Sequence, residues 1–181
     1  MLEACKSSCD ESEEDTGFCC KEYRCCQHMA SCNDREDSTC RDTCNIGGNE
    51  YIDITTMCSD NTKCCRLCNE QCGGSFTGPM GSFFSPNSPS NYCNRQHCLY
   101  TITVEEGSII MVIFSNVFLE IEGDYVEIYD AEIKPEALLY YINVNEADKI
   151  EVNSTSNRMI IRFVSDRSLT YAGFRVNYKA I

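Results

Sequence analysis

The stretch Phe118–Ile128, FLEIEGDYVEI, sets Glu120, Glu122, Asp124 and Glu127 into an otherwise apolar run. Carboxylates this close repel one another and hold on to protons unless a cation lies between them. Calcium is the fitting ion, being hard, oxygen-seeking and tolerant of irregular geometry. The alternative chemistry is an acidic loop neutralised by Arg162 or Arg167. Parity separates the four. Val117, Leu119 and Ile121 are the apolar odd positions, whereas Val126 and Ile128 are apolar even ones. One unbroken strand would put Glu120, Glu122 and Asp124 on a buried face. The chain must therefore turn, and Glu122-Gly123 is the natural place because glycine accepts tight-turn angles. Glu120 and Asp124 then flank the turn, Glu122 sits at its solvated tip and Glu127 faces outward.

Strands must carry this turn. From Ser108 onward the apolar period is two. Ile110, Val112 and Phe114 alternate with Ile109, Met111 and Ile113, apolar on both faces, which reads as an interior strand. Met159, Ile161 and Phe163 alternate through MIIRF, and Phe174, Val176 and Tyr178 alternate through FRVNY with Arg175, Asn177 and Lys179 outward. The single helix-compatible segment, IKPEALLYYI, is short and opens with a proline. Short strands with Gly, Pro and Asn breaks predict an all-β sandwich.

Composition divides the chain. Of sixteen cysteines in 181 residues, fourteen lie between Cys5 and Cys72, and Cys93 and Cys98 are the others. Aromatics show the opposite bias, so residues 1–71 need covalent staples while 72–181 can build a core. Two domains follow, 1–71 and 72–181. Such cysteine usage implies an oxidising, extracellular setting, although MLEACKSSCD has neither the basic start nor the apolar run of a signal peptide. The chain is thus expected to be a mature form or an excised segment. The longest apolar run, SIIMVIFSNVFLEI, is too short to cross a membrane and is interrupted by Ser115 and Asn116. A net charge of −13 without a basic stripe argues against nucleic acid and membrane surfaces as partners. The triplet Asn153-Ser154-Thr155 marks Asn153 as an N-glycosylation acceptor.

The cysteine-rich half falls into two blocks, each opening C-x3-C and later carrying a vicinal pair. The first, Cys5 to Cys32, resembles a knottin framework, with Cys26 left over. The close of the second, CSDNTKCCRLCNEQC, resembles a whey-acidic-protein module, although Cys65 and Cys68 are spaced too tightly. Cys65-x2-Cys68 is zinc-like spacing, but disulfides fit so many cysteines in an oxidising compartment better. Catalysis is not expected: the histidines are His28 and His97, and neither G-x-S-x-G nor H-E-x-x-H occurs.

In the second half Cys72-Gly73-Gly74, Ser85-Pro86-Asn87-x-Pro89-x-x-Tyr92 and Cys98-x-Tyr100-x-Ile102 follow one another in an order that resembles the opening of a CUB domain. Asp124-Tyr125-Val126-Glu127-Ile128 is similar to its D-Y-L-E-I strand. Phe163-x-Ser165-Asp166-x-Ser168 and Gly173-Phe174-x-x-x-Tyr178 match its close. Tyr100 stands where the family usually has Trp, and the second family disulfide is absent. The resemblance implies a jelly-roll β-sandwich with Cys72 paired to Cys98. Thirteen N-terminal cysteines then remain with Cys93, so Cys93 either bridges back to that half or stays free for an intermolecular bond. The calcium-binding subset of the family uses a Glu before the D-Y strand, its Asp, and the Asp of S-D-x-S. These correspond to Glu120, Asp124 and Asp166, with the Ser168 carbonyl as a further ligand. The loop is shorter here, so Glu122 is an alternative to Glu120.

The resemblance implies a secreted, non-catalytic module that docks a basic side chain of an extracellular protein or receptor beside Glu120, Asp124 and Asp166, with a glycan as the alternative partner. A rival places function in residues 1–71, as a protease inhibitor or channel-directed knottin targeted by the CUB domain. NIGGNEYIDITTM, between Cys44 and Cys58, would be its exposed loop.

Overall fold

The computed structural model describes residues 4–6, 13–20, 23–28, 30–32, 38–46, 50–54, 56–58, 62–68, 72–144 and 149–181. Two compact units emerge, one from Met1–Cys44 with Ile52–Arg66, the other from Asn45–Tyr51 with Leu67–Ile181.

The cysteine-rich part contains β1 (Ala4–Lys6), β2 (Glu13–Cys20), β3 (Tyr23–His28), β4 (Ala30–Ser31), β5 (Ser38–Arg41), β6 (Glu50–Ile52), β7 (Thr56–Met57) and β8 (Lys63–Leu67). β1, β3 and β2 form one antiparallel sheet, β4 pairs with β7 in parallel, and β5 pairs antiparallel with β8. Disulfides Cys32–Cys64, Cys40–Cys58 and Cys44–Cys65 do here what apolar burial does elsewhere. Cys32–Cys64 also joins the two cysteine blocks that the spacing suggested were separate. The side chains of Cys5, Cys9, Cys19, Cys20, Cys25 and Cys26, and with them the knottin-like pairing, lie outside what the structure describes. The segment read as an exposed inhibitory loop is partly interior: Tyr51, Asp53 and Thr56 are buried, and Asp53 meets Arg66 at 3.1 Å.

The sandwich is built from β9 (Gly73–Thr77), β10 (Met80–Phe84), β11 (His97–Thr103), β12 (Ile110–Phe118), β13 (Tyr125–Asp130), β14 (Leu138–Ile142), β15 (Ile150–Asn153), β16 (Arg158–Val164) and β17 (Gly173–Ala180). One sheet runs β10-β17-β12-β15 and the other β14-β13-β16-β11-β9. IKPEALLYYI contributes only a 3-10 turn, Pro135–Ala137, before extending as β14, since β-branched and aromatic residues suit a pleated surface. The inward residues of the two sheets make one core, with Phe114, Phe163, Ile102, Ile128 and Ile161 fully buried. Tyr100 fills the place of the family's Trp: it stacks on Phe83 with centroids 4.6 Å apart, and its hydroxyl donates to the Phe84 carbonyl at 3.2 Å. Burial pushes that hydroxyl's pKa up. Gly173 opens β17 at φ +80°, and a Cβ there would lie 1.9 Å from Ser85 Oγ, so no other residue fits.

Two disulfides close the start of this unit. Cys72 is bonded to Cys98, and Cys93 to Cys68. Cys93 is therefore not free, and its mate lies before Cys72 in the chain yet belongs to the same compact unit.

The apolar parity shifts twice. Ile110, Val112 and Phe114 are buried, then a bulge between Ser115 and Phe118, with Asn116 at φ 52°, hands burial to Val117 and Leu119. Asparagine is one of the few residues that tolerates that backbone region. Ile121 departs from the expected pattern, being 55% exposed, because the turn has already begun there.

Candidate functional site

The turn at 121–123 lies between β12 and β13, closed by the Asp124 N–H donating to the Glu120 carbonyl at 3.1 Å. β13 pairs with β16 in a register that sets Tyr125 opposite Val164. The residues just outside that pair, Asp124 and Ser165-Asp166, consequently meet at the same end of the sheet. One carboxylate oxygen from each of Glu120, Asp124 and Asp166 lies within 4.8 Å of the others. Glu122, the alternative ligand, is exposed and is not part of the group. Glu127 faces away and is held by Arg162, at 2.6 Å from Nε and 2.5 Å from Nη2. Arg162 is thus committed to Glu127 and not to the acidic turn.

Asp124 is the buried hub, 1% exposed. Its Oδ1 accepts the Asp166 N–H at 2.8 Å, and its Oδ2 accepts the Tyr92 hydroxyl. The Tyr92 oxygen in turn accepts the Glu120 N–H at 3.0 Å. Burial raises the Asp124 pKa, against the hydrogen bonds from Tyr92 and Asp166. The Glu120 pKa is raised too, by desolvation and then by the charges of Asp166 and Asp124, with the Ser168 hydroxyl working the other way. Burial and the bond to Asp124 drive the Tyr92 hydroxyl far above its usual range. Ser168 is placed here through its N–H, which donates to Asp166 Oδ1 at 2.7 Å, and its hydroxyl, within 3.4 Å of both Glu120 and Asp166 carboxylates.

A rigid support stands behind these groups. The Ser165 hydroxyl donates to the Cys93 carbonyl at 2.7 Å and accepts the Gln96 N–H at 2.9 Å. The Arg95 N–H donates to the Asp166 carbonyl at 2.5 Å. The loop that bears Cys93 to Gln96 is itself tied by the Cys68–Cys93 bond. Preorganised oxygens held on strand ends are what a hard cation needs.

The CUB domain family model matches residues 72–178. The chain belongs to the CUB family. Human Tolloid-like protein 2 is 34% identical over 111 residues, covering 59% of this chain and 11% of that protein. Human Tumor necrosis factor-inducible gene 6 protein is 34% identical over 116 residues, covering 62% of this chain and 42% of its own length. The chain thus spans less than half of either relative. Among solved structures, the extracellular region of zebrafish Gpr126/Adgrg6 is similar at 30% identity and TM-score 0.54, covering 61% of this chain and 15% of that one. The MASP-1 CUB2 domain bound to Ca2+ is similar at 25% identity and TM-score 0.51, covering 60% of this chain and 99% of that domain.

Within this CUB domain, Tyr92 is the residue whose role the sequence motif hid. It appears in S-P-N-x-P-x-x-Y as a fold marker, yet its hydroxyl joins Asp124 to the Glu120 backbone. A buried tyrosine hydroxyl requires a partner, and that requirement was the available signal.

Proposed function

We propose that this CUB domain binds one calcium ion between Glu120, Asp124 and Asp166, with the Ser168 carbonyl as a further ligand, and uses the loaded site to dock a basic side chain of an extracellular protein. The observation that carries the reading is the convergence of three carboxylates within 4.8 Å on a hydrogen-bonded scaffold. The similar MASP-1 CUB2 domain bound to Ca2+ supports the choice of ion. Calcium supplies two positive charges to a cluster whose members otherwise repel, and ordering the carboxylates leaves oxygens free to accept a lysine or arginine. Exposed Ile121 and Leu169, adjacent in sequence to the ligands, offer apolar contact to the stem of such a side chain. The module acts by binding and not by catalysis, in the extracellular space, with residues 1–71 as an attached disulfide-rich domain.

The immobilised chain is expected to retain a probe peptide with a central lysine flanked by apolar residues in calcium, and to release it in chelator. Equal retention in chelator, or equal binding of the same peptide with glutamine at the centre, would sink the docking proposal.

Gly123 sharpens the test of the ion. A Cβ on Gly123 would lie 2.6 Å from the Asp166 carboxylate carbon and Oδ2. Gly123→Ala should therefore push Asp166 out of the cluster and weaken calcium roughly tenfold, about 1.4 kcal/mol, with little change in apo stability. Calorimetric titration reads it directly, and an unchanged affinity would remove Asp166 from the ligand set.

A further inference from the structure

We propose that Asn153 carries an N-linked glycan whose first sugars lie over the outer face of the four-stranded sheet and cover Met111. The acceptor triplet Asn153-Ser154-Thr155 begins at the last residue of β15, an edge strand. Along β15, Ile150 and Val152 are buried and Glu151 and Asn153 exposed, so Asn153 points away from the core. The two residues after it are fixed. Ser154 is bonded twice to Ile110, its N–H donating to that carbonyl at 2.8 Å and its hydroxyl accepting the Ile110 N–H at 2.7 Å. Thr155 donates its N–H to Asp130 Oδ2 at 2.9 Å and its hydroxyl to the same oxygen. Hydrogen bonds from Thr155 and Ser156 outweigh the effect of burial and lower the Asp130 pKa. The Asn153 side chain therefore leaves a held backbone toward the outer face of the sheet.

Sheet register says what it meets. Asn153 lies opposite Met111, Met111 opposite Lys179, and Lys179 opposite Met80. The next row is Glu151, Ile113, Asn177 and Ser82. Paired residues share a face, so Met111 is one strand spacing, about 5 Å, from the attachment point and Met80 about 15 Å. Met111 and Ile113 are half-buried, Met80 is 72% exposed, and between these side chains lies a shallow depression of about 370 Å³. The first two sugars of an N-linked chain fit this span. They place an apolar ring face on the methionine and hydroxyls toward Lys179, Asn177 and Glu151. The acidic site stays clear, because β12 carries Met111 near its start and Phe118, two residues before Glu120, at its end, roughly 23 Å apart.

In the transfer itself the side-chain nitrogen of Asn153 bonds to the anomeric carbon of an oligosaccharide carried on a lipid diphosphate. The anomeric carbon–oxygen bond breaks, the lipid diphosphate leaves, and the amide loses one proton.

The test uses the full chain fused behind a secretion signal and secreted from eukaryotic cells. An amidase that cleaves the bond between the first sugar and Asn153, leaving aspartate there, should reduce its mass, and Asn153→Gln should be secreted without that carbohydrate. The glycosylated protein and the same protein enzymatically stripped under native conditions are then oxidised with hydrogen peroxide. Sulfoxide formation at Met111 should be several-fold slower with the glycan in place, while Met159, fully buried, stays unreacted in both and reports that the fold is intact. Secreted chain lacking carbohydrate at Asn153 would overturn the site. Equal Met111 rates in the two forms would overturn the covering of the sheet face.

Discussion

Saturating calcium is expected to raise the thermal midpoint of the wild-type chain, while Asp124→Asn shows no rise. An ion that binds the native state at a hundred times its dissociation constant adds about 2.7 kcal/mol to stability, several degrees for a domain of this size. Asp124 is the substitution to make because its carboxylate is the most enclosed of the three, accepts the Asp166 N–H and is joined to the Glu120 backbone through the Tyr92 hydroxyl. Asparagine keeps the scaffold: its carbonyl oxygen can still accept the Asp166 N–H. Its amide can donate to the Tyr92 oxygen, which reverses that bond and leaves the Tyr92 O–H without its acceptor, a cost of about 1 kcal/mol set against the relieved repulsion. The variant also removes one charge from a mutually repelling group. In chelator, Asp124→Asn should therefore lie within about 1 kcal/mol of wild type or above it, so failure to respond to calcium cannot be mistaken for failure to fold. Asp124→Ala, by contrast, leaves the Asp166 N–H and the Tyr92 hydroxyl without that partner and should cost about 2 kcal/mol even without the ion. A wild-type midpoint indifferent to calcium would defeat the proposed centre.

Phe163→Ala is expected to cost about 3–5 kcal/mol, a large share of a typical domain's 5–15 kcal/mol. Phe163 is fully buried on β16, the middle strand of the five-stranded sheet. It meets Tyr92 edge-on with centroids 5.1 Å apart and Phe174 at 5.4 Å. Truncation leaves a cavity that neither neighbour can fill without leaving its own partners, Asp124 in the case of Tyr92. Urea unfolding measures the loss, and a cost below about 1 kcal/mol would show the site to be plastic rather than close-packed. The milder Phe163→Leu should remain folded and still weaken calcium, because a displaced Tyr92 no longer holds Asp124. Unaltered calcium affinity in that variant would break the proposed link between core and centre.

Much of this was legible in one dimension. Alternation from Ser108 onward announced the strands, and the parity conflict in FLEIEGDYVEI required the turn that the structure places at 121–123. Cysteine and aromatic bias separated a stapled region from a self-supporting one. Each of these is a near-neighbour property, written in residues a few positions apart. Asn116 was visible as an interruption of the apolar run, but not as a bulge, because a bulge is defined only against the partner strand that lacks the extra residue. For the same reason Ile121 was assigned to a buried face that the chain had already left.

What the chain determined alone was the set of carboxylates, the turn that separates them and the motifs of a CUB sandwich. Tertiary structure decided which of them meet. Asp124 and Asp166 lie 42 residues apart and are joined by the antiparallel register of β13 with β16. Tyr92 reaches them from a loop tied down by Cys68–Cys93, a pairing for which arithmetic admitted any of thirteen partners or none. Such contacts depend on strand order and register. Those are settled by the packing of the whole core, and no local pattern carries them.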